Sequence, residues 1–192
     1  MPLLFTWPYN TIYMVAAVIT ALPERPIRRG SRGTPATQDE GSSRVLTVGG
    51  VIGAAGAWLV AFLVPAAAMP APYLMFWLGI AALVAARLLR HHAFRMLGSS
   101  FTLVIHVVPG QQVIERGAYR WIRHPAYTAA GFGFISIGLA AGNWASVGVL
   151  LLSWLIVYAY RVTIEERTMV AVLGEPYRAY MERTRRFLPF VF

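Results

Sequence analysis

Arg161 and Glu165 stand four residues apart in "RVTIEERTMVAVLGEPYRAYMERTRRFLP", so on a helix their guanidinium and carboxylate share one face. A second knot of reactive types, "GAYRWIRHPAY" at residues 117–127, sets Arg120, Arg123 and His124 among Tyr119, Trp121 and Tyr127. A guanidinium holds a carboxylate or phosphate in a fixed fork, an imidazole donates, accepts or moves a proton, and aromatic rings offer a flat apolar face. Ionisable groups converging at the mouth of a membrane bundle mark a functional site. Plainer roles stay open beside that one. Arg161 and Glu165 can form a simple ion pair four residues apart, and His124 can merely precede Pro125 at a helix start. The connector before residue 127 can be an interfacial segment with snorkelling arginines.

Composition says what must position these groups. The chain of 192 residues is 57% hydrophobic and 13% charged, with a mean hydropathy of +0.56, beyond the apolar share of a soluble domain. We therefore expect an integral membrane protein with one domain over residues 1–192. The absence of cysteine removes disulfides, thiolate metal sites and cysteine nucleophiles. No metal site is expected. All 17 basic residues are arginine, so lysine Schiff-base chemistry is excluded and acid–base work falls to His, Glu, Asp, Tyr or water. No G-x-G-x-x-G run or strand–helix alternation supports a soluble dinucleotide-type fold. The arginine-rich face suits anionic membrane lipids, and no nucleic-acid partner is expected.

Five apolar stretches follow, at residues 3–22, 45–69, 73–89, 126–141 and 144–160, the first long enough as a helix to cover about 30 Å. A polar segment, 23–44, reads as a flexible loop. "PAP" at 70–72 and "GN" at 142–143 make two tight helical hairpins. Gly49, Gly53 and Ala57, and Gly138 with Gly142, are spaced for close backbone approach. The stretch 101–108 is β-branched and can be extended. If the helices alternate, every charged residue lies on one side, which arginine makes the cytoplasmic one, with the N-terminus outside and the C-terminus inside. The expected fold is an all-α bundle of five transmembrane helices with a cytoplasmic connector and a C-terminal helix.

The two-part pattern, "GAYRWIRHPAY", a hydrophobic hairpin, then "RVTIEERTMVAVLGEPYRAYMERTRRFLP", resembles the isoprenylcysteine carboxyl methyltransferase family and its phospholipid N-methyltransferase relatives. The resemblance covers residues 97–189, leaving 1–96 as a variable set of helices one to three. It implies an integral membrane enzyme that moves a methyl group from S-adenosylmethionine to a lipophilic acceptor entering from the bilayer. It also implies cofactor contacts at Gln111, Gln112, Val113, Ile114, Tyr119, His124, Pro125, Ala126 and Tyr127. Glu165 matches a cofactor-binding acid, Arg161 an arginine for the substrate carboxylate, and Arg186 a further recurrent arginine expected, with Arg161, on the substrate side. The chain departs from the pattern where Gln111 replaces a frequent His, Leu173 a usual Phe, and Arg167 breaks a longer acidic run.

The expected reaction is carboxyl O-methylation at the cytoplasmic membrane face, with Arg161 and Glu165 as its catalytic pair. The alternatives are a phospholipid or amine N-methyltransferase, or an NADPH-dependent reductase of the sterol-reductase type. A lysine-free chain is compatible with a GC-rich bacterial genome and hence with a bacterial inner membrane. Neither the identity of the acceptor nor the oligomeric state can be read from the residues.

Overall fold

Among the described residues six α-helices carry the architecture: α1 Tyr9–Ala21, α2 Ser42–Leu63, α3 Pro72–Leu97, α4 Pro125–Ala141, α5 Trp144–Leu173 and α6 Glu175–Arg183. This computed structural model describes residues 1–21, 41–98 and 112–188, and among them there is no strand. The expectations for 101–108, for Gln111 and for most of the 23–44 loop lie outside the described residues. Among the described residues three helices, α2, α3 and α5, are long and apolar enough to cross a membrane, while α1 and α4 are shorter apolar helices. The chain is a multi-pass integral membrane protein.

Several helix ends differ from the sequence expectation, each for a local reason. α2 begins at Ser42, inside the segment read as loop, and stops at Leu63, because Pro65 cannot continue it and opens a short 3-10 turn, Pro65–Ala67. α3 runs on to Leu97, beyond residue 89, and α5 to Leu173, beyond 160. Arginine ends the apolar stretch without ending the helix, since its straight chain is a good helix former. At 30 residues, α5 is about 45 Å long against a hydrocarbon core of roughly 30 Å, so it extends well past the bilayer interior.

Small residues set the close contacts, and they act within the chain. α2 lies antiparallel along α5, with Gly49 facing Val157 and Gly53 facing Ser153, while Ser146 Oγ donates to the Ala57 carbonyl at 2.7 Å. A Cβ at Gly138 would fall 2.9 Å from the Val147 backbone, so only glycine lets α4 meet α5 there. Gly142 serves differently from the packing expected of it. It has φ +67° with open space around it and ends α4 in the left-handed region.

The uncharged end is stapled by its two turns. Met69 N donates to the Gly142 carbonyl at 2.7 Å and Asn143 Nδ2 to the Val64 carbonyl at 3.0 Å, while Asn143 Oδ1 caps α5 by accepting from Ser146 N. Tyr13 and Ser136, 2.8 Å apart, tie α1 to α4. The helices alternate, so the first turns of α2 and α4 and the later turns of α3 and α5 gather at the opposite, charged end. Cysteines introduced at exposed Ala66 and exposed Arg183 should therefore react with a membrane-impermeant maleimide from opposite faces. Labelling of both from one face would contradict the alternation.

Candidate active site

The charged end is assembled by a strap. Gly117 takes φ +62°, and a Cβ there would lie 2.7 Å from His92 Nε2 and 2.9 Å from Met96 Cγ, so glycine alone lets the turn Gly117–Arg120 press against the end of α3. The segment after that turn then pairs with the chain's tail. Arg185 N donates to the Trp121 carbonyl at 3.0 Å, Arg123 N to the Arg185 carbonyl at 2.7 Å and His124 N to the Arg186 carbonyl at 3.1 Å. Thr128 Oγ1 adds a bond to the Phe187 carbonyl at 2.7 Å, and Tyr180 donates to the Tyr119 carbonyl at 2.8 Å. Burial pushes the phenols of Tyr119 and Tyr180 above the ordinary tyrosine range, with the Glu165 charge adding to it at Tyr119, so both remain protonated donors at neutral pH.

Beneath the strap lies a carboxylate that holds four segments together. Glu166 Oε1 accepts from Arg123 Nε at 2.8 Å and sits 3.3 Å from His124 Nε2, and Glu166 Oε2 accepts from Arg186 Nε and Nη2 at 3.1 and 2.8 Å. A carboxylate can only accept, so the imidazole presents Nε2–H to it. Arg123 and Glu166 are both buried, with side chains 8% and 5% exposed. Arg123 Nη1 spends its hydrogens on the carbonyls of Met181 and Thr184, which brings the end of α6 into the cluster.

One residue earlier on α5, about 100° around the helix, the chemistry changes. Glu165 Oε2 accepts from the Tyr127 hydroxyl at 2.7 Å, and the same hydroxyl accepts from Arg161 Nε at 2.9 Å. A phenol therefore stands between the guanidinium and carboxylate that the sequence placed on one helix face. His124 stacks on Tyr127 with ring centroids 5.3 Å apart and planes at 9°, which brings His124 Nδ1 to 3.7 Å from Glu165 Oε2. Trp154 Nε1 fixes the start of α4 by donating to the Tyr127 carbonyl at 3.0 Å. The Glu165 side chain is 21% exposed, and among the described residues its second oxygen has no hydrogen-bond partner. Arg161, by contrast, is buried and donates from Nη1 to Ser42 Oγ at 2.8 Å and Ser43 Oγ at 3.2 Å.

The structure thus brings together Tyr119, His124, Tyr127, Arg161 and Glu165, with Pro125 and Ala126 forming the first turn of α4 beneath them. Gln112, Val113 and Ile114 form the irregular approach to the Gly117 turn, with Gln112 exposed. Arg186 lies one shell away, half exposed and engaged with Glu166. Sequence reasoning missed Glu166 as the centre of the cluster, although the "EE" pair was visible. Only the phase of α5 shows which of the two faces protein and which faces outward. It also missed Ser42 and Ser43, which carry no signal at a distance of more than a hundred residues from Arg161.

Residues 77–171 match the model of the isoprenylcysteine carboxyl methyltransferase family. The chain is 26% identical over 148 residues to protein-S-isoprenylcysteine O-methyltransferase of Tribolium castaneum, covering 73% of this chain and 51% of that protein. It is 28% identical over 120 residues to a probable protein-S-isoprenylcysteine O-methyltransferase of Oryza sativa subsp. indica, covering 60% of this chain and 61% of that one. It is 26% identical over 95 residues to the uncharacterized protein YpbQ of Bacillus subtilis, covering 49% of this chain and 56% of that protein. The chain therefore spans only about half to three fifths of the length of these curated relatives. Its fold is similar to the solved eukaryotic intramembrane Ras methyltransferase ICMT, with a TM-score of 0.62 and 22% identity over 73% of this chain and 52% of that one.

Removing one partner from a buried ion pair leaves the other charge uncompensated, at a cost of roughly 3–5 kcal/mol. Arg123→Ala should accordingly lower the unfolding free energy in detergent by that order, with Arg123→Lys intermediate because it keeps the charge but loses the fork. Wild-type stability in Arg123→Ala would remove the cluster from its structural role.

Proposed function

Because residues 77–171 match the model of the isoprenylcysteine carboxyl methyltransferase family, we propose that the chain is a member of it and methylates the carboxylate of a lipophilic acceptor at the membrane face, with S-adenosylmethionine as donor. The observation that carries this reading is the Arg161–Tyr127–Glu165 relay, a buried fixed cation and a partly exposed carboxylate held by one phenol at the charged end of an apolar bundle. The residues fit the donor. Its ammonium and ribose hydroxyls need acceptors, and the Glu165 oxygen that has no hydrogen bond among the described residues is one, with Tyr119, Tyr127 and His124 around it. When bound, the cofactor supplies an electrophilic methyl group on a cationic sulfur.

The chain's own residues then have defined tasks. Gln111, Gln112, Val113, Ile114, Tyr119, His124, Pro125, Ala126, Tyr127 and Glu165 would hold the cofactor. Arg161 would hold the acceptor's carboxylate, which is already ionised at pH 7 and needs no general base. Catalysis is therefore mainly positioning: a fixed cation orients the attacking oxygen and low-dielectric walls exclude water. An amine acceptor would first have to lose a proton, and the positive charge of Arg161 disfavours a cationic acceptor. Arg186, committed to Glu166, is assigned to the strap and not to the acceptor.

The relatives' names point to an S-isoprenylated cysteine, and an acceptor of that amphipathic kind suits the geometry, its chain in the bilayer and its acid at Arg161. We place the charged end in the cytoplasm and the N-terminus outside, in a bacterial inner membrane. Arginine favours that side, and in the labelling experiment above Ala66 should then react on intact cells and Arg183 only after permeabilisation. The function is tested with labelled S-adenosylmethionine and paired lipophilic acids and amines. Wild type should methylate acids, while Arg161→Lys should lose most turnover with little change in S-adenosylhomocysteine affinity, because a point charge replaces a planar fork. Methylation of amines but not acids, or an undiminished Arg161→Lys enzyme, would contradict the assignment.

A further inference from the structure

A second concave surface, an open groove of about 380 Å³, lies between α5 and the segment that carries α6 and the tail. Thr163, Glu166, Arg167 and Ala171 recur at three- and four-residue spacing, so they share one face of α5, and at about 100° per residue that face is opposite to Glu165. Met181 of α6 and Arg186 of the tail form the other wall. The volume falls within the roughly 300–1,000 Å³ of small-molecule clefts.

Its donors are guanidiniums with hydrogens to spare. Arg167 is exposed and has no hydrogen bond or ion pair among the described residues. Arg186 is half exposed; its Nε and Nη2 hold Glu166 Oε2 at 3.1 and 2.8 Å, and its Nη1 makes no hydrogen bond among the described residues. Thr163 spends its hydroxyl hydrogen on the Ala159 carbonyl at 2.8 Å, so the arginines are the donors left to a ligand. Glu166 does not cancel them, because its charge is already shared between Arg123 and Arg186. Val170, Ala171 and Met181 make the remaining wall apolar. Arginine beside apolar surface suits an amphipathic anion, and the guanidinium fork matches phosphate oxygens.

The height of the groove in the bilayer identifies the occupant. Trp144, exposed at the first residue of α5, marks the opposite interface, where aromatic side chains collect. At about 1.5 Å per residue, Thr163 lies about 28 Å from it along the axis and Ala171 about 40 Å, against a hydrocarbon core of roughly 30 Å and a bilayer of roughly 40–45 Å with its headgroups. The groove therefore opens at the hydrocarbon edge and runs through the headgroup layer. We propose that Arg167 and Arg186 seat the phosphate of an anionic glycerophospholipid, with its glycerol end against Val170, Ala171 and Met181. The site is separate from Glu165 and does not depend on the methyl-transfer reading. An occupied groove fastens the strap, since the Arg186 carbonyl accepts from His124 N at 3.1 Å.

The test uses the full chain in dodecylmaltoside micelles doped with phosphatidylglycerol or phosphatidylcholine, reading the first bound lipid by native mass spectrometry and unfolding by intrinsic fluorescence. Wild type should bind phosphatidylglycerol in preference to phosphatidylcholine and unfold at a higher temperature with it. Arg167→Gln should weaken that binding about tenfold, the loss expected for a hydrogen bond between charged groups, and remove most of the thermal gain. Arg167→Lys should keep part of both, and Ala171→Phe, at an exposed position, should obstruct the groove without changing the charge. Arg95→Gln, at an exposed arginine in the last turn of α3, should bind as wild type does. Undiminished binding in Arg167→Gln or in Ala171→Phe, or an equal loss in Arg95→Gln, would replace the seat by diffuse attraction and overturn the proposal. Equal binding of phosphatidylcholine would overturn the selection of an anion, and displacement by millimolar inorganic phosphate would overturn the lipid in favour of a soluble anion. Bound phosphatidylglycerol without a thermal gain would overturn the fastening of the strap.

Discussion

A carboxylate buried among two arginines and a histidine governs the charged end of this molecule. Glu166 is drawn from the long helix α5, Arg123 and His124 from the turn before α4, and Arg186 from the tail after α6. Burying a lone carboxylate would be very costly, and this one is tolerated because every direction it faces supplies a donor. The cost enforces the geometry: separating the strap from α4 would expose the cluster to partial pairing. The backbone bonds between 121–124 and 185–186 follow the same line, so charge pairing and chain pairing specify one arrangement.

That cluster and the packing seam between α2 and α5 divide the work. Within the bundle no charge pairing is needed, because small residues give close contact and the turns at the far end bond to each other. Close packing between apolar helices carries association where lipid is as apolar as the side chains. At the charged end the helices are held by ionic and hydrogen-bonded contacts, leaving between them the Arg161–Tyr127–Glu165 relay. One end of the structure is thus held by packing, and the other by ionic and hydrogen-bonded contacts.

Much of this was legible in the residues. Apolar stretches and short turns marked the helices, Gly49 and Gly53 marked the seam, and the spacing of Arg161 and Glu165 marked the mouth of the bundle. Helix ends were less legible, because Arg87, Arg90 and Arg95 end an apolar run without ending α3. The roles of adjacent glutamates were hidden for a geometric reason. Sequence shows that Glu165 and Glu166 exist, but their division depends on the rotation of α5 against α4 and the strap. The partnership of Ser42 with Arg161 was hidden because it is set by the register of the whole α2–α5 seam, and nothing local to either residue declares it.

The account turns on the division of roles proposed for neighbouring glutamates, Glu165 partly exposed and assigned to a ligand, Glu166 buried and facing the protein. The most direct measurement is a side-by-side comparison of Glu165→Gln and Glu166→Gln, reading thermal stability in detergent and S-adenosylhomocysteine affinity. Glu165→Gln should fold with near wild-type stability and lose affinity by on the order of 10- to 100-fold, as expected for one hydrogen bond to a charged group. Glu166→Gln should lose stability, because Arg123 is left buried without its counter-charge. A Glu165→Gln protein that binds S-adenosylhomocysteine as tightly as wild type, or a Glu166→Gln protein of undiminished stability, would contradict it.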